Sequence, residues 1–201
     1  MASTSEQRRA AHAALTKSAI LDAARALFIE QGYFATTIDQ VARAADMSPA
    51  TVYAVAGGKQ GLINALLQQW ADSPILRESA EQLPTMTDPR AIIALVAQSS
   101  RRVREQHGDV MRILLVTAPH DVAVAEGLAA STARYRGALV SVADRLQQLG
   151  ALAVSAADAA DTLWFYFGYA GYFTLTLDNG WTFDRSQAWL FERCCEALLS
   201  A

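Results

Sequence analysis

TTIDQVARAADMSPATVYAVAGGK, residues 36–59, is the stretch that decides the fold. Thr37 has the side chain of a helix N-cap, and Ile38, Val41 and Ala42 follow at the spacing of one helical face. Ala45, Asp46 and Met47 supply a turn. Ser48 is a second N-cap, with Pro49 at the first helical position, where its missing N–H leaves no bond unmade. Val52, Tyr53 and Ala56 continue a second short helix. Two short helices joined by such a turn form a helix-turn-helix unit. In such units the second helix enters the major groove of DNA and reads base edges near its N-terminus.

Upstream, a helix is expected over 16–31, with Ile20, Ala24, Leu27 and Phe28 as its apolar stripe and Gly32 ending it. Residues 1–14 are small, polar and arginine-containing, and read as a flexible arm. Downstream, a helix starts near Lys59 and runs through Leu62, Ile63, Leu66, Leu67 and Trp70. Pro74, Pro84 and Pro89 mark 72–89 as a broken connection with one helical turn near 77–82. Further helices are expected over 89–105, 109–117, 121–149 and 155–177, and from Thr182 or Asp184 to 199. The first of these carries Arg101, Arg102 and Arg104 as a polar face. No internal repeat or strand-like alternation appears, so the chain is read as all-α: a three-helix DNA-binding unit over 15–60 and a helical body over 61–201.

Residues 15–70 resemble the DNA-binding domain of the TetR family of bacterial transcriptional regulators. The resemblance rests on ILDAARALFIEQGY (20–33), TTIDQVARAADMS (36–48), TVY (51–53), and Lys59 with Leu62. It implies a homodimer that binds double-stranded operator DNA and is released or retuned by a small-molecule effector. Two departures stand out. Asp46 occupies a turn position where the family usually has Gly, and such a position tends to need positive φ. After TVY, where aromatic residues are common in the family, this chain has Ala54, Val55 and Ala56 and then Gly57 and Gly58, so thinner packing and a looser link to the next helix are expected.

Composition fits that organisation. The chain is 52% apolar and 18% charged, with a net charge of −3. Residues 1–66 hold six basic and five acidic side chains, and the remainder eleven basic and fifteen acidic. That asymmetry favours an anion-facing N-terminal module on an acidic body. The N-terminal residues lack the apolar core of a signal peptide, which leads to a cytoplasmic expectation. Residues 162–177 form an uncharged run shorter than the ~20 residues of a membrane span, so no membrane partner is expected. Cys194 and Cys195 are adjacent and read as two small buried hydrophobes. No cofactor or metal motif is present, and His107, His120 and Asp121 lack any accompanying nucleophile or phosphate loop, so an enzyme is not expected.

The DNA-contact set is Thr37, Ser48, Ala50, Thr51, Tyr53 and Lys59. The resemblance gives Lys59, Tyr53 and Thr37 phosphate contacts, with Lys59 adding its ammonium to a helix N-terminus. Residues 47–56 contain no Arg, Lys, Asn or Gln, so the bidentate base contacts are missing. Ala50, Thr51 and Ala54 against thymine methyls, Gln40 or Arg43, an arm bearing Arg8 and Arg9, or DNA shape must supply specificity. The aromatic cluster around Gly168 and Gly171 suits an interface or pocket, with monomer core as the alternative. The dimer set is Trp164, Gly168, Gly171, Trp189, Cys194 and Leu198, and the effector set is Trp70, Val96, Met111, Leu115, Tyr166 and Tyr169. The rival class is a small-molecule-binding or scaffold protein whose helix-turn-helix no longer reads DNA.

Overall fold

The α-helices range from five to twenty-nine residues, and the shortest three lie where the chain turns sharply. A computed structural model describes residues 4–200. In chain order it contains α1 (Thr4–Gln31), α2 (Ile38–Ala44), α3 (Pro49–Ala56), α4 (Lys59–Ala71) and α5 (Pro74–Gln82). These are followed by α6 (Pro89–Thr117), α7 (Val122–Gln148), α8 (Ala156–Phe167), α9 (Tyr169–Phe173) and α10 (Phe183–Leu198). Single 3-10 turns follow α5 and α6, and a π turn (Thr174–Asp178) follows α9. The only pairing outside helices among the described residues is an antiparallel bridge between Leu152 and Leu199. The fold is all-α.

The chain divides into two packed units. The first takes the chain through Ala71 together with Asp109–Ala129, and the second takes Asp72–Gly108 with Ala130 onward. The first buries Ile20, Leu21, Ala24 and Phe28 of α1 with Val41, Val52, Leu62, Ile63 and Leu66. Each fully buried Leu, Ile or Phe contributes roughly 1.5–3 kcal/mol, so this shared core, rather than propensity, holds helices as short as α2 and α3. Arg25 of α1 donates two hydrogen bonds to Asp109, at 2.6 and 2.5 Å. The second unit buries Ile92, Ile93, Leu139, Leu146, Leu163, Phe167, Tyr172, Leu190 and Leu198 around one centre.

Five expectations change. The segment read as a broken connection with one turn near 77–82 carries the nine-residue helix α5, with Pro74 at its first turn, where proline is tolerated. α1 begins at Thr4, so 4–14 are helical rather than an arm; the Ala-rich segment contains no breaker, and its residues are good helix formers. Residues 1–3 of the expected arm lie outside the described residues. α4, assigned from sequence to the C-terminal body, packs within the first unit. The expected helices over 89–105 and 109–117 are one helix, because Gly108 is buried and stays helical with Phe173 3.8 Å from where its Cβ would stand. The expected single helix over 155–177 is interrupted at Gly168, whose ψ of −175° ends α8.

Candidate DNA-binding site

The helix-turn-helix is built by local capping. Thr37 Oγ1 accepts from the Gln40 N–H at 3.3 Å, and the Thr37 N–H donates to Gln40 Oε1 at 2.8 Å. This is a capping box, so Gln40, a candidate base reader in the sequence, is committed to holding the start of α2. Asp46 has φ +55°, the only positive φ outside glycine among the described residues. The turn therefore needs the left-handed conformation that the sequence comparison implied, and Asp adopts it at some cost. Ser48 Oγ then accepts from the Thr51 N–H at 3.1 Å and lies 2.9 Å from Thr51 Oγ1. One hydroxyl thus caps α3 and also occupies the Thr51 hydroxyl.

Capping orients α3 with Val52 buried and Ala50, Tyr53 and Ala54 exposed; Tyr53 is 57% exposed. Thr37 and Ser48 are exposed and Thr51 is half-buried. Gly57 caps α3 at φ +71°, and Gly58 at φ +98° lies beneath the Tyr53 ring, 3.2 Å from Cε1 to where a Cβ would stand. The glycine pair, expected to loosen the link, is the turn itself: two consecutive left-handed residues carry the chain from α3 into α4.

Lys59, expected at a DNA phosphate, has partners for its ammonium within its own unit. Its ammonium donates to the backbone carbonyls of Tyr33, Phe34 and Thr36 at 3.0, 3.1 and 3.1 Å, and stands 4.7 Å from the Tyr33 ring centre. Three donors meet three acceptors, so a phosphate reaches this ammonium only at the expense of bonds that tie α4 to the end of α1. Nothing local to Lys59 marks these partners, which lie 23–26 residues away.

The expected effector set does not gather in either unit. Trp70, Met111 and Leu115 belong to the first, the first two buried; Val96, Tyr166 and Tyr169 belong to the second. Burial raises the Tyr169 hydroxyl above its usual pKa, opposed by its hydrogen bond with Thr132 at 3.0 Å.

The expected dimer set also separates. Cys194 and Leu198 are fully buried in the chain's own core, and burial pushes the Cys194 thiol up to about 12. Gly168 and Gly171 serve close approaches within the chain: a Cβ at Gly168 would stand 2.4 Å from the Trp164 carbonyl oxygen, and one at Gly171 3.0 Å from that of Tyr166. Trp164 is half-buried between Tyr135 and Tyr169 at ring-centre distances of 5.7 and 5.3 Å. Trp189 is 43% exposed, and Phe165, which sequence reasoning placed only within the general cluster, is 74% exposed. Asp121 accepts from the Val124 N–H at 3.0 Å and caps α7, and the His120 ring packs at 6.1 Å from Phe34, which gives both structural work.

Arg104 was missed. The sequence grouped it with Arg101 and Arg102 on a polar face, yet it is 4% exposed. The stripe Ile93, Ala97, Ser100 and Arg104 has helical spacing and carried the signal.

Comparison with known proteins bears directly on 20–66, where the model of the bacterial regulatory proteins, tetR family, matches. An uncharacterised HTH-type transcriptional regulator of Bacillus subtilis (strain 168), YvkB, is 46% identical over 54 residues, which is 27% of this chain and 29% of that one. The likeness thus spans under a third of that relative. Among solved structures, the SmeT–triclosan complex has a TM-score of 0.76 at 19% identity, covering 92% of each chain. A putative regulator from Saccharomonospora viridis in complex with choline has a TM-score of 0.77 at 16% identity, covering 94% of this chain and 100% of that one. At these identities the structural likeness establishes a shared fold. Residues 20–66, with their capped helix-turn-helix, are thus similar to the DNA-binding segment of the bacterial regulatory proteins, tetR family.

Proposed function

We propose that the protein is a dimeric repressor that binds operator DNA through α3 and leaves it when a small, largely apolar effector occupies the second unit. The observation that carries the reading is the outward face of α3. Ala50, Tyr53 and Ala54 are exposed on a helix whose opposite face, Val52, is buried, and both ends are fixed by caps. Methyl groups at Ala50 and Ala54 suit thymine methyls, and the Tyr53 hydroxyl and the Thr37 cap suit phosphates. Ser48 and Thr51, paired with each other, contribute shape more than free hydroxyls. At Lys59 the backbone N–H groups opening α4, rather than the ammonium, are the anion donors.

A dimer is supported by Phe165 on α8 and Trp189 on α10, large apolar side chains left exposed in the second unit. Small-molecule binding by the second unit is supported by the fold shared with proteins solved with triclosan and with choline. No helix among the described residues is long and apolar enough to cross a membrane.

The test is fluorescence anisotropy with duplexes tiling the DNA beside the protein's own gene. Wild type should select one palindromic segment, and Ala50→Glu, which sets an anion on the exposed face, should lose at least ten-fold in affinity with unchanged thermal stability. Equal binding by both proteins places the DNA surface elsewhere. Failure of wild type to prefer any segment supports the rival reading of a scaffold with an inert helix-turn-helix.

A further inference from the structure

Arg104 is a buried cation whose hydrogen bonds, among the described residues, all go to neutral groups. Nη1 donates to the Ser100 carbonyl at 2.9 Å, and Nη2 to the carbonyls of Phe167 and Gly168, both at 2.6 Å. The guanidinium carbon stands 4.8 Å from the Tyr172 ring centre. Nε has no partner, and neither has the fully buried Tyr172 hydroxyl. A guanidinium has five N–H donors, so three bonds leave two unused in a place from which water is excluded. Carbonyls at a helix C-terminus offset part of the desolvation of a cation, but a charge is fully compensated only by an opposite charge.

Further polar and aromatic groups surround the guanidinium. The Tyr135 hydroxyl donates to the Phe167 carbonyl at 2.8 Å and lies 2.9 Å from Ser100 Oγ, and its ring begins an edge-to-face series through Trp164 to Tyr169. Ser131, four residues before Tyr135 on α7, keeps a buried hydroxyl without a partner. The chain directly opposite Arg104 is the break between α8 and α9, followed within a few residues by the π turn, so the backbone that now occupies the arginine is irregular and can yield.

We infer that the second unit binds a monocarboxylate carried on an apolar, ring-sized body, with Arg104 receiving the carboxylate and the Tyr135–Trp164–Tyr169 rings receiving the body. The inference refines the effector of the proposed function. Binding exchanges two neutral carbonyls for an anion on the same guanidinium and so releases the α8–α9 break from Arg104.

The experiment measures direct binding without DNA, so its failure is distinct from failure of the regulator reading. Naphthylacetate, phenylbutyrate and decanoate are each compared with their primary amides by quenching of tryptophan fluorescence in the full-length protein. At least one acid should bind about ten- to a hundred-fold more tightly than its amide, the range for a charge-assisted bond against a neutral one. Arg104→Gln should erase that preference while retaining the amide's affinity. Should Arg104→Gln fail to fold, wild type alone decides the matter: the slowly exchanging Nε–H proton of Arg104 should shift in NMR spectra on adding the acid and not the amide. Equal binding of acid and amide throughout the set, an acid preference that survives in folded Arg104→Gln, or an unmoved Nε–H signal overturns the inference.

Discussion

The α2–α3 turn and the α8–α9 break each interrupt helix within a few residues, and they are made from opposite materials. The first is assembled from its own neighbourhood: Asp46 at φ +55°, Ser48 as cap and Pro49 as first helical residue lie within four positions. The second consists of one glycine plus an arginine that arrives from 64 residues away to take its carbonyls. A turn written locally survives changes elsewhere and is readable in the chain. A break held by a distant cation is sensitive to that cation, and is suited to being switched.

The strongest way to break the comparison is at Gly168. Alanine there sets a Cβ 2.4 Å from the Trp164 carbonyl oxygen, a collision with backbone that no rotamer relieves. Gly168→Ala should lose about 1–3 kcal/mol in urea denaturation, the scale of overpacking in a closed core. A loss under about 0.5 kcal/mol shows that the break tolerates a side chain and is not fixed as described.

Lys59 shows that the first unit also uses one distant tie. Lys59→Met retains the aliphatic stem and deletes three bonds to carbonyls. It should cost roughly 2 kcal/mol of stability, since bonds to a charged donor contribute about 1.5–3. The salt slope of DNA binding should stay as in wild type. A slope lowered by about one unit per half-site, with stability intact, returns the ammonium to the phosphate backbone.

Asp109 sharpens the comparison through pH. Burial opposes its ionisation, but the Arg25 hydrogen bonds, the Val110 N–H and the Arg25 charge together outweigh it, and the carboxyl sits below its usual range. A depressed folded value means the pair's stabilisation is complete above the unfolded carboxylate pKa of ~3.9 and is lost as pH falls through the folded value. Asp109→Asn should cost about 1–2 kcal/mol near neutrality, and the gap to wild type should close as the solution is acidified below about pH 4. A gap independent of pH assigns the loss to packing instead.

The smallest effect belongs to the local turn. Asp46→Gly removes a left-handed strain of about 1 kcal/mol and adds unfolded-state entropy of similar size, so thermal stability should rise by no more than about 0.5 kcal/mol. A loss above about 1 kcal/mol shows that the Asp46 side chain, rather than its backbone, holds the turn.

Legibility in the sequence follows the same division. Thr37, Ser48, Pro49 and Gly32 act within four residues of their positions, and each stands where its chemistry placed it. The Thr-x-x-Gln signature of the capping box was equally visible, and would have removed Gln40 from the base-reading candidates. Lys59, Arg104 and Gly171 carry no local mark of their partners, because their environments come from chain closure over tens of residues or from a break in a helix that looked continuous. Cys194 and Leu198 fell on an apolar stripe that serves core and interface alike, and periodicity cannot tell an inner face from a subunit contact.

The two thiols leave the protein chemically quiet. Cys194 and Cys195 are 0% and 2% exposed, and burial raises both above the usual thiol range. Reagents that attack thiolates therefore meet neither solvent access nor ionised sulfur. A single cysteine introduced at Phe165, 74% exposed on α8, becomes the one fast-reacting position, with no need to delete the native pair. Spin or fluorescent labels placed there would test whether two copies of the chain come together, in an otherwise unaltered chain.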